Sequence, residues 1–270
     1  MNTFIQGDNF IGLADYTYSP KIKVGDDYDN LPNTLDVSLL KDGDIIYTHV
    51  MYANSLFKEI TGINKKVTVI THNGDNHMTD VSKMPNCVVK WYSQNVAVKH
   101  PRLESIPIGL NNNRWLGKIP KIKMIEAKLK TPKMMKNLVY MCHDIKTNVS
   151  ERLKLYNMFE TKSWVTADRQ ANFDEYLNNI YNHKFMICPE GNGIDTHRTW
   201  ECLYMRTIPI EKRNINNQFY TDLPISFVND WEEVDIVFLA HEYSRILQGE
   251  WNMEKLYFEY WKNKIQNGQI

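Results

Sequence analysis

Arg198 and Glu201 stand three positions apart near the start of a helical segment, just after a glycine-containing turn, in the run PEGNGIDTHRTWECLYMRTIPI (189–210). A strand, a glycine turn and a helix in that order place backbone N–H groups and the positive end of a helix dipole beside an anion, phosphate above all. Gly191 and Gly193 permit the backbone to bend and to approach a ligand closely, and Asp195 or Thr196 is placed to cap the helix. Trp200, Leu203 and Tyr204 share one face, which packs on a sheet, and Arg198, Glu201 and Cys202 share a neighbouring one. An arginine fork holds two oxygens of a diphosphate at once, and a carboxylate one turn on suits the two hydroxyls of a ribose. The residues therefore read as a nucleoside diphosphate site. The plainer alternative is an i,i+3 surface pair behind glycines that merely end a strand.

A site of this kind needs a sheet whose carboxyl edge carries the turn. In the first half, strand-length apolar runs alternate with amphipathic helices, the pattern of βαβ units feeding a parallel sheet. TFIQG (3–7) reads as a strand, DIIYTHV (44–50) as a second, and KVTVITHNGD (66–75) as a third strand with its loop. Between the last two lies a helix with Ala53, Leu56, Phe57 and Ile60 on one face, completing a right-handed unit. CVVKWYSQN (87–95) and LESIPIGL (103–110) add two more strands, the second with a proline that favours an edge or a strand end. Residues 117–136 are rich in lysine and methionine and read as a linker carrying at most one short helix. The alternation restarts with NLVYMCHD (137–144), a helix over 149–159, WVTAD (164–168), a helix over 173–181, KFMICP (184–189), the motif helix and TIPI (207–210). From Asn252 onward, Met253, Leu256, Tyr257, Tyr260 and Trp261 fall at helical spacing and predict a long amphipathic helix. The expected organisation is an α/β domain over 1–118, a linker over 119–136 and a second α/β domain over 137–270 with the terminal helix.

The chain has 270 residues with 32 basic and 32 acidic side chains, so no bulk field draws it to nucleic acid or an anionic membrane, and an anionic partner must be bound locally. Four cysteines without a C-x-x-C pair suggest neither a zinc knuckle nor a disulfide framework, and reduced, mostly buried thiols are expected. The N-terminus shows no basic region followed by an apolar run, and no apolar stretch has the roughly 20 residues of a spanning helix. The expectation is a soluble, cytoplasmic protein with no transmembrane segment, bacterial or working in host cytoplasm if viral.

The run FMICPEGNGIDTHRTWECLYMRTIPI (185–210) resembles the donor-site signature of exostosin-type glycosyltransferases, in which C-P-x-G-x-G-x-D-T-H-R-x-W-E precedes a strand of the type I-P-I. The likeness is specific in residue order and is best in the second half. The first half is similar to related viral and bacterial glycosyltransferases in strand pattern and in segments such as THNGDN and IPIGLNNNRW. The resemblance implies a GT-B fold, two Rossmann-like parallel-sheet domains facing across a cleft, with the nucleotide-sugar donor on the C-terminal domain and the acceptor on the N-terminal one. It implies that Arg198 meets the donor diphosphate, that Glu201 meets the ribose, and that Glu190 with the backbone of Gly191, Asn192, Gly193 and Ile194 meets the sugar or phosphate. Asp195 and His197 complete the donor-binding run. UDP-sugar is the favoured co-substrate, a glycan or glycoprotein hydroxyl the acceptor, and no other cofactor is required. The chain departs from the pattern at Met205-Arg206, where a small residue or glycine commonly precedes the strand.

For transfer with inversion, a base must take the acceptor's proton while fixed donors neutralise the leaving diphosphate. Candidates on the N-terminal domain are Asp8 and Asp15 after the first strand and His72, Asp75 and His77 in THNGDNH. Asp75 is the first choice and Asp15 the second, although each also fits a turn aspartate bonding nearby backbone. His49 and His100 read as structural. Retaining GT-B enzymes often carry two glutamates seven residues apart, whereas Glu190 and Glu201 are eleven apart, which favours inversion. Asp42 and Asp44 in KDGDI form an Asp-x-Asp that precedes a strand instead of following one, so a polar turn is expected there, and no metal ligand is assigned. Two other function classes stay open. One is a metallophosphoesterase using QGDN and HNGDNH as a two-metal site, and the other is a noncatalytic sugar-binding module.

Overall fold

A computed structural model describes residues 3–20, 31–113 and 121–268. It resolves into two α/β units, one formed by residues 1–108 with 257–270 and the other by residues 109–256.

The first unit holds strands β1 (Tyr16–Tyr18), β2 (Ile45–His49), β3 (Val67–His72), β4 (Val88–Ser93) and β5 (Leu103–Ser105), with helices α1 (Gly7–Ile11) before β1 and α2 (Ala53–Glu59) between β2 and β3. All five strands are parallel and lie in chain order, β1-β2-β3-β4-β5. Every residue of β2 and of β3 is buried, as expected for strands of a parallel sheet covered on both faces. Ala53, Leu56 and Phe57 of α2 are buried at the predicted spacing. Pro107 follows β5, which is an edge strand, as the proline argued.

Two expectations fail here. TFIQG is not a strand. Phe4 makes an isolated antiparallel bridge to Tyr257, and Gly7 opens α1. α1 rests on the end of β3 so closely that a Cβ on Gly7 would lie 2.0 Å from Asn73 Oδ1 and 2.7 Å from His72 Nδ1. The C-terminal helix is also shorter than predicted and belongs to this unit. Met253–Leu256 is a 3-10 turn, Tyr257 is extended, and the helix proper runs over Phe258–Asn267. Phe258 packs edge-on against Phe10 at 5.4 Å, its N–H bonds Thr3 O at 2.9 Å, and Trp261 and Ile265 are buried.

The second unit holds α3 (Lys121–Leu129), β6 (Asn137–Cys142), α4 (Val149–Phe159), β7 (Val165–Asp168), α5 (Phe173–Asn182), β8 (His183–Ile187), α6 (His197–Tyr204), β9 (Ile208–Lys212), β10 (Ser226–Val228) and α7 (Ile236–Gln248). Its sheet is again wholly parallel, in the order β10-β9-β8-β6-β7. α5 starts on a reciprocal cap, with Asn172 Oδ1 accepting from Glu175 N at 3.0 Å and Glu175 Oε2 accepting from Asn172 N at 3.4 Å. It then buries Leu177, Ile180 and Tyr181 at i, i+3, i+4. The core joins Val139, Met141, Phe185 and Ile187 of the strands to Leu155, Tyr156 and Phe159 of α4 and Leu239 and Ile246 of α7. Of the predicted linker, residues 119 and 120 lie outside the described residues, Lys121–Leu129 is the helix α3, and residues 130–136 carry no regular structure. All four cysteines are free thiols, three of them buried. Among the described residues no helix is long and apolar enough to cross a membrane.

Candidate functional site

Strand order decides where a crevice opens. In the first unit it never reverses. In the second, the chain passes from β6 outward to β7 and then returns to β8 on the other side of β6, so β6 and β8 flank a topological switch point. Ligands of open α/β sheets bind at the carboxyl ends of strands there. The turn after β8 and the start of α6 occupy that edge.

Arg152 of α4 braces the turn. It is 4% exposed, and its Nε donates to Glu190 O at 2.8 Å, Nη1 to Asp144 O at 2.8 Å and to Thr147 Oγ1, and Nη2 to Pro189 O at 3.3 Å. A Cβ on Gly191 would meet Arg152 Nη2 at 2.9 Å. The glycine at 191 therefore makes room for an arginine of the scaffold, where the sequence suggested a close approach to ligand.

Thr196 is the N-cap of α6, yet no side chain caps the helix. Asp195 Oδ1 instead accepts from Trp200 Nε1 at 2.9 Å, and Thr196 Oγ1 is buried with no hydrogen-bond partner among the described residues. His197 Nδ1 bonds Gly109 O at 2.7 Å. Arg198 Nε donates to Cys142 O, the last residue of β6, at 3.0 Å. That bond pins the guanidinium at the switch point, and among the described residues its two terminal nitrogens meet no acceptor.

Glu201 does not pair with Arg198, so the surface-pair alternative is set aside. It is 2% exposed, with Oε1 at 2.8 Å from Lys121 Nζ and Oε2 accepting from Tyr176 OH at 2.6 Å. Burial opposes its charge, but the Lys121 ammonium and the hydrogen bonds from Lys121 and Tyr176 outweigh burial and hold the carboxyl below its ordinary range. Lys121 Nζ also donates to Asn111 Oδ1 at 2.8 Å and lies 4.6 Å from the Phe173 ring centroid.

Behind α6 a chain of polar side chains joins Glu190 to Glu211. Asn214 Nδ2 donates to Glu190 Oε1 at 2.9 Å, Asn214 and Asn217 exchange side-chain-to-backbone bonds at 2.8 and 3.0 Å, and Asn217 Nδ2 donates to Glu211 Oε2 at 3.1 Å. The Thr199 hydroxyl bonds Glu211 Oε1. Burial, with a smaller contribution from the charge of Glu190, pushes the Glu211 carboxyl up to about 7 against the two hydrogen bonds that favour its charge. His143, next after β6, is 2% exposed, and burial together with Arg198 pushes it down to about 3, so it is neutral.

The candidate bases lie in the first unit and are differently placed. Asp15 precedes β1 at the amino edge of the sheet, where its Oδ2 accepts from Ile45 N at 2.8 Å, so it ties two strand starts together and stands at the wrong edge for a site at the carboxyl ends. His72 is 1% exposed, with Nδ1 accepting from Asn73 N at 2.7 Å, so Nε2 carries the proton and donates to Pro107 O at 3.0 Å. Both nitrogens serve the fold, which removes His72 as a base and as a metal ligand. Asp75 is exposed on the loop after β3. Asp8, at the start of α1, is partly buried, and its Oδ1 accepts from Asn73 Nδ2 at 3.1 Å, with Asn73 in the left-handed region at φ 54. Asp42 and Asp44 form the expected turn, accepting from Lys66 N and Lys41 N at 2.7 Å each. Among the described residues no group of three or more His, Cys, Asp or Glu is arranged to hold a metal ion.

Sequence reasoning missed Lys121, Tyr176, Arg152, His143 and the Asn214–Asn217–Glu211 chain. Tyr176 sits one turn after Phe173 on a predicted helix and could have been weighed; Lys121 had no signal, because it comes from a segment that read as linker.

No family model matches the chain, and no curated protein does. Among solved structures it is similar to one described as "OtsA apo structure", at 10% identity and TM-score 0.46, covering 86% of this chain and 74% of that one. It is also similar to "Trehalose-6-phosphate from E. coli bound with UDP-2-fluoro glucose", at 12% identity and TM-score 0.42, covering 86% and 73%. A UDP-forming alpha,alpha-trehalose-phosphate synthase from Burkholderia vietnamiensis follows at 10% identity and TM-score 0.37, covering 86% and 72%. Likenesses this slight carry no functional argument, so the geometry of the site has to.

Proposed function

We propose that the chain is a glycosyltransferase that takes a sugar, hexosyl or pentosyl, from a nucleoside diphosphate donor, UDP-sugar favoured, and passes it with inversion to a glycan hydroxyl. One observation carries the donor half of this reading. At the β6/β8 switch point Arg198, in the first turn of α6, is held by a single bond through Nε, and among the described residues its terminal nitrogens and the buried hydroxyl of Thr196, the N-cap two positions before it, have no hydrogen-bond partner. A diphosphate supplies the acceptors that these donors lack. In the transfer, the bond from the anomeric carbon to the diphosphate breaks as the acceptor oxygen bonds that carbon, and the charge gathering on the diphosphate is met by Arg198 and the α6 dipole. Glu201 is assigned to the ribose, and Glu190, fixed by Asn214, to the sugar or phosphate. For the acceptor's proton we name Asp8 ahead of Asp75, because Asn73 orients its carboxylate whereas Asp75 is exposed.

The test is binding, read by calorimetry and by thermal shift, since a ligand of the folded state alone raises the melting temperature. The wild-type protein should bind UDP, and Arg198→Ala, while still folding cooperatively, should bind it at least about tenfold more weakly, the loss of one charge-assisted contact. Equal affinity in the variant would overturn the assignment.

A further inference from the structure

Glu201 is more deeply embedded than a ligand-facing carboxylate needs to be, and the groups around it are divided between its two oxygens. Oε1 takes one bond from Lys121 and Oε2 one from Tyr176. A carboxylate offers about four acceptor positions, two on each oxygen, so among the described residues one position on each oxygen is left, enough for two hydroxyls.

We propose that Lys121 and Tyr176 are positioning residues that turn Glu201 into a receptor for a cis-diol, and thereby set a preference for a ribonucleotide over its 2′-deoxy counterpart. The proposal rests on the donor-site reading above. Three observations support it. Lys121 has its ammonium committed in three directions, to Glu201, to Asn111 and to the face of Phe173, so it supplies countercharge and does not itself reach for a phosphate. Tyr176 fixes the rotation of the carboxylate from the neighbouring helix α5. Arg198, one turn away on the same helix, is bonded to Cys142 O and not to Glu201, so neither group spends a hydrogen-bonding position on the other. Removing Lys121 leaves a carboxylate that is 2% exposed without its nearest countercharge, which favours the protonated form and so costs it acceptor capacity. Removing the Tyr176 hydroxyl frees its orientation.

The experiment titrates UDP and 2′-deoxy-UDP by calorimetry into the wild-type protein, Lys121→Met, Lys121→Arg and Tyr176→Phe. The wild type should favour UDP by about tenfold or more, the scale of one hydroxyl on a charged acceptor. In Lys121→Met and Tyr176→Phe that ratio should shrink to about threefold or less, through weaker UDP binding. Lys121→Arg, which keeps the countercharge, should retain most of the ratio. A merely structural role would weaken both nucleotides together and leave the ratio where it was, and that result overturns the inference. Tyr176→Phe removes a single hydroxyl and decides the matter even if Lys121→Met fails to fold. A wild type that binds both nucleotides equally ends the inference and leaves the donor site standing, whereas one that binds neither ends both.

Discussion

Glu211→Gln should make the protein more stable at neutral pH and leave it unchanged in acid. Glu211 closes the polar chain behind α6, bonded to Thr199 and Asn217, and burial pushes its carboxyl from 4.5 up to about 7. A group whose pKa is raised on folding contributes stability that is fully present below its unfolded value, near 4.5, and is lost as the pH rises through the folded value, near 7. The span of about 2.5 units corresponds to about 3 kcal/mol at most. Glutamine keeps an acceptor for Asn217 and a donor for Thr199, and cannot ionise. Urea unfolding of wild type and variant at intervals between pH 4.5 and 8 should therefore give curves that coincide at the acid end and separate steadily, with the variant ahead by up to about 3 kcal/mol at pH 8. A constant offset across that range, or a wild type that gains on the variant as the pH rises, would refute the assignment of a neutral carboxyl to this position.

Arg206→Gly should raise Tm by a few degrees, equivalent to about 0.5–1 kcal/mol, because Arg206 follows α6 in the left-handed region at φ 57 where glycine is unstrained; calorimetry checks this, and an unchanged or lower Tm counts against it. Asp8→Asn should retain UDP binding and lose transfer by about a hundredfold or more, whereas Asp75→Asn should retain both. Reversal of the two in a turnover assay would return the base to the exposed loop.

The strands and helices legible in the sequence were those with unbroken apolar runs or a clear period. β3 was legible from its β-branched residues, buried along its whole length, and β8 from the apolar run Phe185–Ile187, while α4 and α5 were bounded closely by their patterns. What escaped was short or masked by exposure. β1 and β10 have three residues each, too few for a period. α7 begins with Ile236 and Val237, which are 56% and 76% exposed and blur its apolar stripe. The terminal aromatics were read as one helix because Tyr257, which pairs with Phe4, falls by chance on the helical spacing. Met205-Arg206, a departure from the resemblance, now has a physical account. The position needs a positive φ, which explains the usual glycine, and here Lys133 Nζ bonds the carbonyls of Met205 and Arg206 at 2.8 Å each.

At the site, residue type alone could not separate ligand groups from scaffold, because the distinction lies in how many donors and acceptors the fold itself consumes. Arg152 and Arg198 look equally suited to a phosphate in the sequence. Among the described residues, the structure spends every nitrogen of Arg152 on carbonyls and a hydroxyl, and only Nε of Arg198. His72, a candidate base by its place after a strand, has both nitrogens bonded within its own unit. Lys121 and Tyr176 each take one acceptor position of the Glu201 carboxylate, so among the described residues about half of its capacity is unspent. Among the described residues, the hydrogen-bonding capacity left unspent on α6 and its N-cap is that of cationic donors at Arg198, a hydroxyl at Thr196 and two acceptor positions at Glu201. On the donor-site proposal a nucleoside diphosphate would complement all three, with acceptors for the first two and a diol for the last.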